Sequence, residues 1–132
     1  MVKVAFATGD GTAVDQHFGW CDRFDVYELT ATDAVLLESR IPSASVDSDG
    51  RIDTRLAVLR DCAILHITNI GGAAAARVVH ARIHPLKVAE GTPVADLVSR
   101  LQVVLAGNPP PWLRKVLRAA DGQAPVPAWT PR

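Results

Sequence analysis

The run from Cys62 to Thr68 (CAILHIT), followed at once by Asn69-Ile70-Gly71-Gly72 and four alanines, constrains this chain more than any other feature. The mostly apolar run reads as a buried strand. The paired glycines interrupt it, and the alanine-rich stretch restarts the chain as a helix to about Ala81. A further short strand, Pro85 to Val88, follows that helix. Strand, helix, strand needs a crossover, so at least part of the sheet is parallel.

Upstream the pattern differs. Val2 to Thr8 (VKVAFAT) is β-branched and nearly alternating, and it stops at Gly9-Asp10-Gly11. Arg23 to Leu29 and Ala34 to Ile41 read as two more strands, and the short Thr30–Asp33 connection makes that pair antiparallel. Pro42 to Gly50 is small and polar, which predicts a flexible loop. Beyond it Ile52, Leu56, Val58 and Leu59 fall on one helical stripe, with Arg51, Arg55 and Arg60 toward solvent. Thr92 is expected to cap a helix with Pro93 in its first position; Val94, Leu97, Val98, Leu101, Val104 and Leu105 supply its apolar face. A short amphipathic helix is expected from Trp112 to Ala119. The order β-β-β-α-β-α-β-α predicts one α/β domain over residues 1–120, a mixed five-stranded sheet with helices packed on it, and a flexible tail over 121–132.

With 132 residues and 48% hydrophobic content, the chain can bury one core. No apolar run reaches the roughly 18 residues of a membrane helix, and the polar turn at Gly9 argues against a signal peptide. A soluble, cytoplasmic, monomeric protein is expected. Residues 1–60 carry ten acids against six bases, and residues 61–132 carry four against eight. Aromatics are 5% of the chain and no basic run is interleaved with them, so nucleic acid is not an expected partner. Two cysteines, Cys21 and Cys62, can form neither a disulfide framework nor a four-cysteine metal site.

Two segments can carry chemistry. The first is the loop from Asp10 to Cys21, directly after the first strand, where α/β folds place ligand loops. His17 sits there before Phe18-Gly19. It reads either as an iron ligand, with Cys21 as a second candidate ligand, or as a cap in a turn whose Phe18 fills the core. The second is Asn69-Ile70-Gly71-Gly72, a strand-to-helix turn. Its free amides attract anions, and the same glycines also serve close helix–sheet packing. It lacks a full dinucleotide fingerprint and a Walker lysine. His66 reads as a core histidine, Cys62 as a small buried hydrophobe. Asp10, Asp15 and Asp22 fit turns better than a Mg²⁺ site. No catalytic motif is present, and the chain is not expected to be an enzyme.

A set of pieces in fixed order then resembles a known family. They are Lys3 to Ala7; Val14-Asp15-Gln16-His17-Phe18-Gly19; Arg23-Phe24; Gly71 to Arg77; Ile83 to Val88; Glu90-Gly91-Thr92-Pro93; Leu101-Gln102; and Trp112-Leu113. Over residues 2–118 the chain is similar to the dinitrogenase iron-molybdenum cofactor-binding (NifX/NafY) family. The resemblance implies a ribonuclease H-like three-layer fold. It also implies a carrier that binds the iron–sulfur precursor of the nitrogenase iron–molybdenum cofactor, or the mature cofactor. Such a carrier passes its cargo between the cofactor-synthesis enzyme and scaffold proteins, with apo-dinitrogenase as a further candidate partner. It places the leading ligand at His17. The expected binding set is His17, Phe18, Gly19, Asn69, Ile70, Gly71 and Gly72. The alternative is a regulatory interaction protein of nitrogenase assembly without its own cluster.

Overall fold

The computed structural model describes residues 2–45 and 47–122. In chain order the elements are β1 (Val2–Ala7), β2 (Ala13–Val14), a 3₁₀ turn (Phe18–Trp20), β3 (Phe24–Leu29), β4 (Ala34–Arg40), α1 (Ser48–Leu59), β5 (Ile64–Ile67), α2 (Gly72–His80), β6 (His84–Lys87), β7 (Thr92–Pro93), α3 (Val94–Ala106) and α4 (Pro111–Gly122). Five strands form one mixed sheet in the order β4-β3-β1-β5-β6. β3 runs antiparallel to β1 and β4, whereas β5 runs parallel to β1 and β6. The expected tail lies, from residue 123 on, outside the described residues.

The central strand explains the layering. Alternation along β1 sends Val2, Val4 and Phe6 to one face and Ala5 and Ala7 to the other, and all five are buried. Ala5 and Ala7 join Val26, Leu65 and Ile67 under Ile52, Leu56 and Leu59 of α1 and Val78 of α2. Val2, Val4 and Phe6 join Leu29 and Ile64 under Val94, Leu97, Val98 and Leu101 of α3 and Leu113 of α4. Helices therefore cover both faces, in three layers. Burying a side chain such as Phe6 contributes about 1.5–3 kcal/mol.

Three local expectations need correction. The polar loop is shorter than expected, because the Asp47 carboxylate accepts the Gly50 amide and starts α1 at Ser48. Thr92 does not cap a helix. Its hydroxyl donates to the Ala89 carbonyl, and Thr92–Pro93 pairs with Ala13–Val14 as β7 on β2. The Val94 amide, which a capping side chain would have satisfied, donates instead to the Thr12 carbonyl at 2.9 Å. Finally, Arg55 is not turned to solvent; it is 7% exposed. The β2–β7 ribbon and the backbone bond to Thr12 tie the loop after β1 to the start of α3, which holds one end of the candidate site.

Candidate functional site

The loop after β1 first folds on itself. The Asp15 carboxylate accepts the Gly9 amide (3.0 Å) and the Gln16 side-chain amide (3.1 Å), and Asp10 accepts the Thr12 amide and hydroxyl (2.9 and 2.8 Å). These carboxylates are turn formers. Among the described residues no group of three or more His, Cys, Asp or Glu could hold a metal ion.

The chain then runs alongside the segment that follows β5. The Thr68 amide donates to the Gln16 carbonyl (3.1 Å) and the Phe18 amide to the Asn69 carbonyl (2.9 Å), making a parallel bridge between His17 and Asn69. The two segments singled out from sequence, bridged at residues 52 positions apart, are thus neighbours. Phe18 anchors the junction: its ring is fully buried in the core beside Phe24, with centroids 6.3 Å apart. It contributes position, and its side chain is not presented to a ligand.

His17 is half-buried and serves as the N-cap of the 3₁₀ turn. The Gly19 amide donates to His17 Nδ1 at 2.9 Å. An amide can only donate, so Nδ1 carries no proton, and a neutral ring has its proton on Nε2. An imidazole that ligates a metal through one nitrogen ordinarily donates the other N–H to an acceptor. Ligation by His17 therefore requires release of the Gly19 amide, whichever nitrogen binds.

Across the bridge, Asn69 is exposed and its side-chain oxygen accepts the Ile70 amide (2.9 Å); Ile70 packs half-buried against the core. Gly71 is the N-cap of α2 and provides no side-chain acceptor. A Cβ on Gly71 or Gly72 would meet nothing within 4 Å, so the approach to the first turn of α2 is open. The first backbone N–H groups of α2 and the positive end of its dipole lie at this terminus.

Cys21, the candidate second ligand, closes the other end of the same 3₁₀ turn. It is fully buried in the core and its thiol donates to the Arg23 carbonyl at 2.9 Å. Burial pushes the thiol up to about 12, so the free protein holds it protonated at neutral pH. Burial raises Cys62 to about 12 as well. His66 is 3% exposed, stacked on Phe6 at 4.5 Å, and burial lowers it to about 4. His84, also lowered by burial, stacks on Trp112 at 4.0 Å near the opposite end of β6.

Sequence reasoning missed the cationic side of the 3₁₀ turn. Arg51 stands over the Trp20 ring, 4.5 Å from its centroid, and Arg55 lies close by on the same helix. An Arg-x-x-x-Arg spacing puts both on one face of α1. That spacing was available in the sequence, but nothing in it said that the face meets the turn.

Comparison with known proteins extends these observations. The sequence model of the family "Dinitrogenase iron-molybdenum cofactor" matches residues 1–104. Protein NifX of Herbaspirillum seropedicae is 40% identical over 120 residues, which is 89% of this chain and 82% of that protein. Protein NifX of Rhodobacter capsulatus is 37% identical over 123 residues (88% and 77%). Protein NifY of Azotobacter vinelandii is 38% identical over 122 residues; they cover 92% of this chain but 50% of that longer protein. Among solved structures, the crystal structure of PH0822 superposes with a TM-score of 0.58 at 16% identity, covering 76% of this chain and 88% of its own. One from Methanocaldococcus jannaschii, described as a candidate dinitrogenase, gives 0.55 at 15% identity (79% and 90%). At such identities these structures speak to the fold alone.

Proposed function

Because this chain belongs to the dinitrogenase iron-molybdenum cofactor family, we propose that it is a carrier for the iron–sulfur precursor of the iron–molybdenum cofactor. On this reading it takes up the cluster, or the mature cofactor, from the cofactor-synthesis enzyme. It then delivers the cargo to scaffold proteins or to apo-dinitrogenase. It acts as a monomer and catalyses no reaction. The strand order is read as a ribonuclease H-like scaffold, used here to present a binding loop.

The observation that supports the proposal is the His17–Asn69 bridge, which pairs the backbone of the histidine with the residue two positions before the N-cap of α2. A metal–sulfur cluster is anionic and needs a metal ligand plus donors for its sulfurs. His17 supplies the ligand. The first amides of α2, reached past Gly71 and Gly72, face the negative charge. Asn69 and Ile70 hold that turn in place, and Phe18 holds the loop.

Reversibility follows from the cap. In the free protein the lone pair of Nδ1 is used by the Gly19 amide. Uptake exchanges that bond for one to iron and frees the Gly19 N–H to donate to a cluster sulfur. Release restores the original bond. One exchangeable imidazole, with both thiols buried and protonated, suits a protein that must give its cargo away.

Anaerobic incubation with isolated precursor cluster, followed by desalting and iron determination, tests the reading. The parent protein is expected to retain iron with a charge-transfer absorption, and His17→Ala to lose it. Equal iron retention by the two proteins would falsify the assigned ligand. The same engagement of Nδ1 also supports a second reading, a cluster-free regulatory partner of nitrogenase assembly, since the turn is complete without metal. That reading predicts a colourless parent protein under every loading condition, and binding to assembly partners that survives His17→Ala.

A further inference from the structure

A cavity of about 380 Å³ opens on the other side of the 3₁₀ turn, between it, α1 and the segment after β4. Trp20 and Ile41 stand at its mouth, 64% and 73% exposed, so large apolar side chains are left uncovered there. Arg51 and Arg55 bring two guanidinium groups to its wall, against one carboxylate, Asp22.

Arg55 is the unusual member. It is 7% exposed, and its Nη1 donates to the Arg51 carbonyl (3.2 Å) and, at long range, to the Thr54 hydroxyl (3.5 Å). Its Nε is buried and has no hydrogen-bond partner among the described residues. A charged group left with an unsatisfied buried donor destabilises a fold, and an apolar residue of similar size commonly serves better. Burial also draws the guanidinium below its ordinary pKa, as expected for a cation without sufficient counter-charge. The Nε edge of an arginine, with the adjoining Nη, is the side that receives the two oxygens of a carboxylate.

We propose that this cavity binds a small organic carboxylate, with its oxygens on the Nε edge of Arg55 and its hydrocarbon body against Trp20 and Ile41. The apolar mouth distinguishes this ligand from an inorganic oxyanion, which gains nothing from contact with an indole or a butyl side chain. Entry requires a turn of the terminal torsions of Arg55 away from the Arg51 carbonyl and the Thr54 hydroxyl. The site is independent of the proposed cluster ligand, because His17 does not line it.

Citrate, succinate and inorganic phosphate, each titrated into the full chain under NMR observation, test the proposal. Citrate and succinate are expected to shift the Trp20 indole N–H and the Arg55 Nε–H saturably. Arg55→Met and Arg55→Lys are expected to weaken that binding by roughly tenfold or more, the lysine because it keeps the charge but lacks the fork. Arg55→Met should melt at or above the temperature of the parent, so that lost binding is not lost folding. The titrations use protein carrying no cluster, so their outcome is distinguishable from that of the cluster reading. Citrate binding unchanged by both Arg55 substitutions overturns the proposal, and so does phosphate binding as tight as citrate.

Discussion

Gly19 donates its amide hydrogen to His17 Nδ1 at 2.9 Å. The side chain proposed to bind iron is therefore also the side chain that closes its own turn, and the two roles compete for one lone pair. A histidine free in solution or pointing idly from a loop would bind without this competition. Here the turn sets a threshold that only a ligand of sufficient affinity crosses.

This competition makes the two roles of His17 separable by substitution. Asparagine is a good cap but a poor iron ligand; alanine is neither. His17→Ala should lower stability by about 1 kcal/mol, the usual cost of a lost cap, whereas His17→Asn should recover most of it. Both should fail to retain iron. Thermal melts beside iron determinations check this, and an asparagine variant that holds the cluster would remove His17 from the mechanism.

At Gly71 the prediction is a trade between stability and binding. The residue is an N-cap with φ −69° and ψ 155°, it provides no side-chain acceptor, and a Cβ there meets nothing within 4 Å. Gly71→Asp should cap α2 and complement its dipole, raising stability by about 0.5–1 kcal/mol. The same carboxylate stands where an anionic cargo is proposed to approach, so cluster retention should fall. Gly71→Ser, which caps without charge, should stabilise and still load. Equal loading by the aspartate and serine variants would argue that the cargo lies elsewhere.

His66 makes the acid side of the stability curve. The unfolded chain takes up its proton near 6.5 and the folded protein only near 4, because burial against Phe6 disfavours the charged ring. Its contribution is complete above pH 6.5 and is lost as the pH falls from there toward 4. The loss is on the order of 3 kcal/mol. Denaturant midpoints measured between pH 7 and pH 4 should decline accordingly, and the decline should flatten in His66→Leu. A parallel pH dependence in the two proteins would assign the acid sensitivity to carboxylates instead.

Much of the fold was legible from short-range pattern. The alternation of Val2, Val4 and Phe6 against Ala5 and Ala7, the hairpin at Thr30–Asp33 and the stripe of Ile52, Leu56 and Leu59 each report a local period, and each element stands where its period put it. One error arose where a hydrogen-bond donor had two possible partners. Thr92 was a plausible cap for α3, but Thr12, 80 residues earlier, supplies the carbonyl that the Val94 amide takes. Arg55 was assigned to solvent because guanidinium groups usually reach it, yet the 3₁₀ turn packs over that face of α1.

Within the site, residue types alone identified both segments, since a histidine before Phe-Gly and a diglycine opening a helix are local features with recognisable chemistry. Cys21 shows the limit of that approach. Spacing made it a candidate ligand four residues from His17, whereas the core encloses it and keeps its thiol protonated.

From the chain of residues alone came the succession of strands and helices, the mixed character of the sheet and the two segments singled out as a candidate site. These depend on steric and polar preferences that act between near neighbours. Folding in three dimensions decided that Gln16–Phe18 lies along Thr68–Asn69, that the His17 lone pair is held by Gly19, and that one guanidinium is enclosed with its Nε unpaired among the described residues. Such pairings are contests among groups far apart in sequence, and only the packed structure brings the competitors within reach of one another.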